Sequence, residues 1–228
     1  MFSDNFESYA DTTALRQPGA WGDAGANALT SFTLDTVVGN PGQSLRSDGT
    51  GPTAKHIFPE TTPTDAQPLL WQFDFYWDGA GNKRMTGGLR DNGIGANNAI
   101  LEMGYYNATA EGSGWAYRTV FLPGSSNWHS FPNQVIASAG TWLHFSATIA
   151  ETSITFNVSG DQGNSAAVVL ANSSGITYDI LRLGGPSDLS SPGFGNFDNV
   201  SIAVVPEPAT IGLLALGGLA CIRFGRAR

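Results

Sequence analysis

The 228-residue sequence predicts an all-β fold, a sandwich of two antiparallel sheets, and three observations carry that expectation. Apolar and polar residues alternate with period two in short runs, which is the pattern of strands with one buried face. Clusters of Gly, Pro, Asn and Asp bound these runs, and with 29 Gly and 12 Pro the chain is rich in residues that stop regular structure and turn the backbone. Amphipathic stretches of helical period are nearly absent, and so is any internal repeat. About ten runs of this kind need two stacked sheets to hide their apolar faces.

The runs fall at 31–38, 43–46, 69–77, 99–106, 115–121, 142–149, 153–158, 166–170, 180–183 and 196–204. The clearest is 69–77, where Leu69, Trp71, Phe73, Phe75 and Trp77 share one face and Leu70, Gln72, Asp74 and Tyr76 the other. In 142–149, Leu143, Phe145, Ala147 and Ile149 form the core face, leaving Trp142, His144, Ser146 and Thr148 opposite. The Gly-rich stretch 79–95 reads as a long loop. Asp161-Gln-Gly-Asn164 reads as a hairpin turn. About 200 residues suffice for one core that buries roughly 70% of the chain's surface, so residues 1–204 form one domain.

Charge excludes some partners. Setting aside Glu207 and three arginines at the end of the chain leaves 8 basic against 18 acidic residues, a net charge of −10. Such a surface repels nucleic acid. The single cysteine, Cys221, lies outside the strand-rich region, so no disulfide staples the domain. No nucleotide, haem or flavin motif is present, and no organic cofactor is expected.

Residues 205–228 have a different character. Val205-Pro206-Glu207-Pro208 ends the last strand, because proline donates nothing to a sheet ladder. An uncharged apolar run follows at 209–222, and a basic tail with Arg223, Arg226 and Arg228 closes the chain. The run predicts a short transmembrane helix, with the arginines holding the carboxyl end in the cytoplasm. The three parts together resemble the PEP-CTERM sorting signal of biofilm-forming bacteria, a tail also catalogued as the C-terminal domain of ice-binding proteins. The resemblance implies export, recognition by an exosortase-type membrane transpeptidase, cleavage near Pro206, Glu207 and Pro208, and delivery to the cell surface or extracellular matrix. The amino end, Met1-Phe2-Ser3-Asp4, lacks the basic and apolar leader of exported proteins, so the native start is expected upstream.

A second resemblance lies in the domain. Residues 140–149, a turn, and 154–158 are similar to the central hairpin of laminin-G-like domains, which share the concanavalin A-like jelly roll. Asp4-Asn-Phe-Glu-Ser-Tyr9 and Asn196-Phe-Asp-Asn-Val-Ser-Ile202 are similar to the first and last strands of that fold, which lie side by side. Glycosidases of the fold carry two carboxylates on one strand in a Glu-x-Asp-x-x-Glu or Glu-x-Asp-x-Glu pattern, which sets the pair ~5 Å apart for retaining hydrolysis. No such pattern occurs here. Asp74 and Asp78 come nearest, four residues apart, and read better as a solvated face ending in a turn. The three histidines, His56, His129 and His144, lack metal-site spacing, and no Gly-x-Ser-x-Gly elbow exists.

Binding is the better expectation. Tyr76, Trp115, Tyr117, Trp128, Trp142 and His144 are rings that alternation does not assign to the core, and flat rings stack on the apolar faces of sugars while nearby amides and carboxylates bond the hydroxyls. The jelly-roll resemblance also implies a structural calcium ion tying first and last strands, for which Asp4, Glu7 and Asp198 are the matching positions; calcium takes six to eight oxygens at about 2.4 Å. The chain thus reads as a non-catalytic, exported adhesin or carbohydrate-binding protein. A purely structural matrix protein is the alternative, and a glycan-active hydrolase a more distant one.

Overall fold

The computed structural model describes residues 2–23, 32–48, 54–81, 83–91, 99–122, 127–185 and 194–205. In chain order the elements are β1 (Phe2–Asp4), the one-turn helix α1 (Thr12–Leu15), β2 (Gly22–Asp23), β3 (Phe32–Asp35), β4 (Ser44–Ser47), β5 (Ala54–Thr61), β6 (Leu69–Trp77), β7 (Arg84–Arg90) and β8 (Ile100–Thr109). They continue as β9 (Gly112–Val120), β10 (His129–Ser130), β11 (Thr141–Ile149), β12 (Ser153–Gly160), β13 (Gly163–Asn164), β14 (Val168–Ala171), β15 (Tyr178–Gly184) and β16 (Gly195–Val204). The sandwich expected from the alternation is present.

One sheet, here sheet A, runs β13-β12-β11-β6-β16-β4-β3, with β1 on β16 and β14 on β12. Sheet B runs β10-β9-β8-β7-β15-β5-β2, and every pairing in both sheets is antiparallel. The first and last strands lie side by side, with Phe2 opposite Ile202 and Asp4 opposite Val200. The β11–β12 hairpin and the turn at Asp161 and Gln162 fall where the sequence puts them.

The core between the sheets is aromatic. Trp71, Phe73 and Phe75 of β6, Phe145 of β11 and Phe197 of β16 are fully buried, and the Phe73 and Phe145 rings stack 5.3 Å apart. Sheet B answers with Met85, Leu89, Leu101, Met103 and Trp115. Removing these side chains from water stabilises the fold by roughly 1.5–3 kcal/mol each.

Two stretches depart from the expectation. Residues 79–95 are not one long loop, because β7 occupies the centre of sheet B. Its Gly87 is what hid it: a Cβ there would stand 2.4 Å from the Phe73 ring, so the strand has no apolar side chain where the alternation would show one. β5 was hidden by Pro59, which sits opposite a register shift between Tyr178 and Ile180 of β15, a bulge where no donor is required. The sorting motif Pro206, Glu207 and Pro208 and the apolar run 209–222 lie outside the described residues. Among the described residues no helix is long and apolar enough to cross a membrane.

Candidate functional site

Three of the expected site residues meet on the outer face of sheet A. Tyr76 on β6 is opposite Trp142 on β11, and their rings lie 5.5 Å apart at 58°. The next pair on this face is Asp74 and His144, joined by a 2.7 Å bond from His144 Nδ1 to Asp74 Oδ1. Beyond His144 a groove of about 260 Å³ is lined by His144 and Ser146 of β11, Asn157 and Ser159 of β12, Asn164 of β13 and Ser165. Its floor follows from register: His144 faces Ser159, and Ser146 faces Asn157. Strand alternation places hydroxyls and amides here because the opposite faces of β11 and β12 are committed to the core.

The far side of Asp74 is closed by the chain before β4. Asn40 donates its backbone N–H to Asp198 Oδ2 at 2.7 Å and its side-chain amide to Asp74 Oδ2 at 2.9 Å. Asn199 donates to Asp74 Oδ2 at 2.8 Å and to the Asn40 carbonyl at 2.7 Å. Asn199 reaches this face because β16 shifts register between Asp198 and Ser201, and Asn199 takes the left-handed conformation at φ 48°. The extra residue turns Asp198 and Asn199 to the same side and returns Val200 and Ile202 to the core. Asp198 is fully buried. Burial pushes its carboxyl up to about 6, helped by the charges of Asp74 and Glu7 and opposed by the two backbone N–H bonds from Asn40 and Asn199.

The expected calcium residues are placed differently. Asp4 accepts bonds from the Phe6 N–H at 2.8 Å, the Tyr9 hydroxyl at 2.7 Å and Trp21 Nε1 at 2.9 Å, so its oxygens are occupied by donors. Glu7 accepts the Gln43 N–H at 2.8 Å. Among the described residues no group of three His, Cys, Asp or Glu is arranged to hold a metal ion.

The other expected aromatics lie elsewhere. Trp115 is 4% exposed and belongs to the core, because the β8–β9 register sets it opposite Tyr105 on the inward face. Tyr117, opposite Met103, also points inward and stacks on Phe156 at 5.6 Å. Trp128 is on sheet B, packed 5.0 Å from Tyr106 with the guanidinium groups of Arg84 and Arg118 at 5.1 and 4.7 Å. Asp78 pairs with Lys83, which is itself buried beside Trp77 and Phe194, so Asp74 and Asp78 serve different partners. The sequence reading missed Asn40, Asn157, Asn164 and the arginines of sheet B. For Asn157, alternation along 153–158 was a usable signal; for Asn40, no local pattern exists.

Comparison with solved structures agrees with the architecture. The chain is similar to lectin I-B4 from Griffonia simplicifolia in its metal-free form, with a TM-score of 0.52 and 10% identity over 90% of this chain and 98% of that one. It is also similar to the catalytic domain of a glycoside hydrolase family 131 protein from Coprinopsis cinerea, with a TM-score of 0.52 and 14% identity over 89% and 96% of the two chains. A glycoside hydrolase family 43 protein from Bacillus licheniformis gives 0.53 and 14%, covering 89% of this chain and 39% of that one. Identities this low show the fold alone, a jelly-roll sandwich that lectins and hydrolases share, and the fold decides between neither. No curated protein sequence matches the chain significantly. Residues 204–228 match the PEP-CTERM protein-sorting motif, and the chain therefore carries a signal for export and membrane-linked sorting.

Proposed function

We propose that this is an exported, non-catalytic protein of a bacterial surface or matrix whose sandwich binds a glycan along the open part of sheet A. The observation that carries this reading is the groove of hydroxyls and amides beside the Tyr76–Trp142 ring pair. All its lining side chains but Val158 can donate to or accept from a sugar hydroxyl, and the rings, one register pair beyond His144, supply an apolar stacking surface. A non-catalytic role is supported by the engagement of Asp74 with His144, Asn40 and Asn199. Both oxygens of its carboxyl group are engaged by these three partners. In the same reading, residues 206–208 are cut by an exosortase-type transpeptidase while the basic tail stays on the cytoplasmic side.

The experiment is binding of the full chain, in mild detergent, to neutral polysaccharides such as arabinan, xylan and dextran. Trp142→Ala and Tyr76→Ala are expected to weaken the bound case at least about tenfold, or ~1.4 kcal/mol, with the fold intact. Binding that neither substitution changes would remove the site. A folded protein that binds none of the panel would leave a structural matrix protein as the better reading.

A further inference from the structure

The domain is acidic, yet one of its faces is not. Of the eight Lys and Arg before residue 205, five occupy outward register positions on sheet B: Lys55 on β5, Arg84 and Arg90 on β7, Arg118 on β9 and Arg182 on β15. They share that face because the intervening residues, such as Met85, Leu89 and Leu181, point into the core. Glu102 on β8 is the carboxylate among them. It accepts a 3.0 Å bond from Arg90 Nη2 and a close one from Arg118 Nε, with Arg84 Nη2 at 3.9 Å. Even when Asp91, after β7, and Asp179, near the start of β15, are counted, cations outnumber carboxylates five to three.

Arg182 is the residue that this network leaves over. It lies opposite Gly88 and Lys55 and pairs with no carboxylate among the described residues, and its Nε is buried with no hydrogen-bond partner. Burial and the neighbouring Arg90 charge push its pKa down and outweigh the favourable charge of Glu102, so the protonated guanidinium is held at a cost. A cost of that kind is removed by an anion that pairs with it. Gly88, Gly104, Ala116 and Gly184 occupy the same face between the arginines, so no other long side chain stands there beside Glu102. The guanidinium groups of Arg84 and Arg118 are held over the Tyr106 and Trp128 rings, which fixes them on this face.

We propose that the outer face of sheet B is a second binding site, specific for a carboxylated polysaccharide, in which Arg182 and Arg90 receive a uronate carboxylate. The planar fork of a guanidinium matches a carboxylate through two parallel hydrogen bonds. The net charge of −10 opposes any polyanion at long range, so the attraction is confined to this face and to short-range pairing with its guanidinium groups. The site is on the opposite sheet from the neutral-sugar groove and does not depend on it.

The test is binding of the full chain to alginate, with dextran and a single-stranded oligonucleotide as separate arms, at about 50 mM and then about 200 mM salt, where screening differs. Alginate is expected to bind at the lower salt and weaken at the higher. Arg182→Gln is expected to reduce alginate affinity about tenfold or more, the loss of one charge-assisted bond, without lowering the melting temperature. Lys55→Gln, a less enclosed position, gives a second and smaller loss. Trp142→Ala leaves alginate binding unchanged, which separates this site from the groove on sheet A. No alginate binding at low salt, alginate binding that survives Arg182→Gln and Lys55→Gln alike, or equal binding of the oligonucleotide would each overturn the proposal.

Discussion

Asp198 ties the stability of the domain to pH in a direction opposite to that of most carboxylates. Its side chain is fully buried and its pKa is raised from 3.8 to about 6, so between these values the folded protein binds a proton that the unfolded chain has released. Where the folded state holds the extra proton, stability falls as pH rises. The group's contribution is therefore whole below about 4 and is lost as pH climbs through about 6. Asp198→Asn removes the titration. In denaturant unfolding across pH 4 to 7, the difference between native protein and variant should move by about 1–3 kcal/mol in favour of the variant as pH rises. A constant difference across that range would show that Asp198 titrates as it does in the unfolded chain. Asp35 acts in the opposite sense: burial raises its pKa, but bonds from Asn196, Val37 and Val38 outweigh that and leave it lowered, which is why the comparison must be made against the variant.

Strands differ in how far their sequences disclose them, and the difference is physical. β6 and β11 are half-buried, so Leu69, Trp71, Phe73 and Phe75 and then Leu143, Phe145, Ala147 and Ile149 alternate cleanly, and both strands lie where the alternation puts them. Tyr76, Trp142 and His144 were legible for the same reason, as the opposite face of those strands. β7 defeated the pattern because its inward position 87 is filled from across the core by the Phe73 ring. Gly87→Val puts carbon where that ring is and should destabilise the fold by about 1–3 kcal/mol or more, as overpacked cores do. Gly112→Ala, on β9 at a site with nothing within 4 Å of the added carbon but φ +125°, separates strain in the backbone from strain in the packing. If Gly87→Val unfolds at the same denaturant concentration as native protein, the close approach of β7 to β6 is wrong. The Asp198–Asn199 bulge was illegible too. Alternation through 196–204 gives one face to Phe197 and Asn199 together, and only the left-handed Asn199 moves Val200 and Ile202 inward. Asn40 lies 158 positions from Asp198, and no local rule reads such a pairing.

At the scale of the molecule, charge and chain order are separated by the sandwich. Sheet A carries the buried acids Asp74 and Asp198 on its outer side, whereas sheet B carries five of the eight cations before the tail. That division is invisible in a net charge of −10, since a sum has no sides. The sorting motif sits beyond both sheets. β16 ends at Val204, and the Val205 N–H closes on the Pro68 carbonyl at 2.8 Å, the last tie among the described residues. Among the described residues, every residue of the buried core precedes it. Removal of residues 206–228 should then leave the melting temperature of the domain within about 2–4 °C of the full chain, the shift that 1 kcal/mol produces at this size. Expressed behind an added export leader in a bacterium that processes such tails, the truncated chain should lose retention at the surface and appear in the medium. A large fall in melting temperature would mean that the tail contributes to the fold. Unchanged surface retention would mean that adhesion through the sandwich, and not the sorting motif, holds the protein there, and the Arg182→Gln and Trp142→Ala variants of the truncated chain would then show which sheet does so.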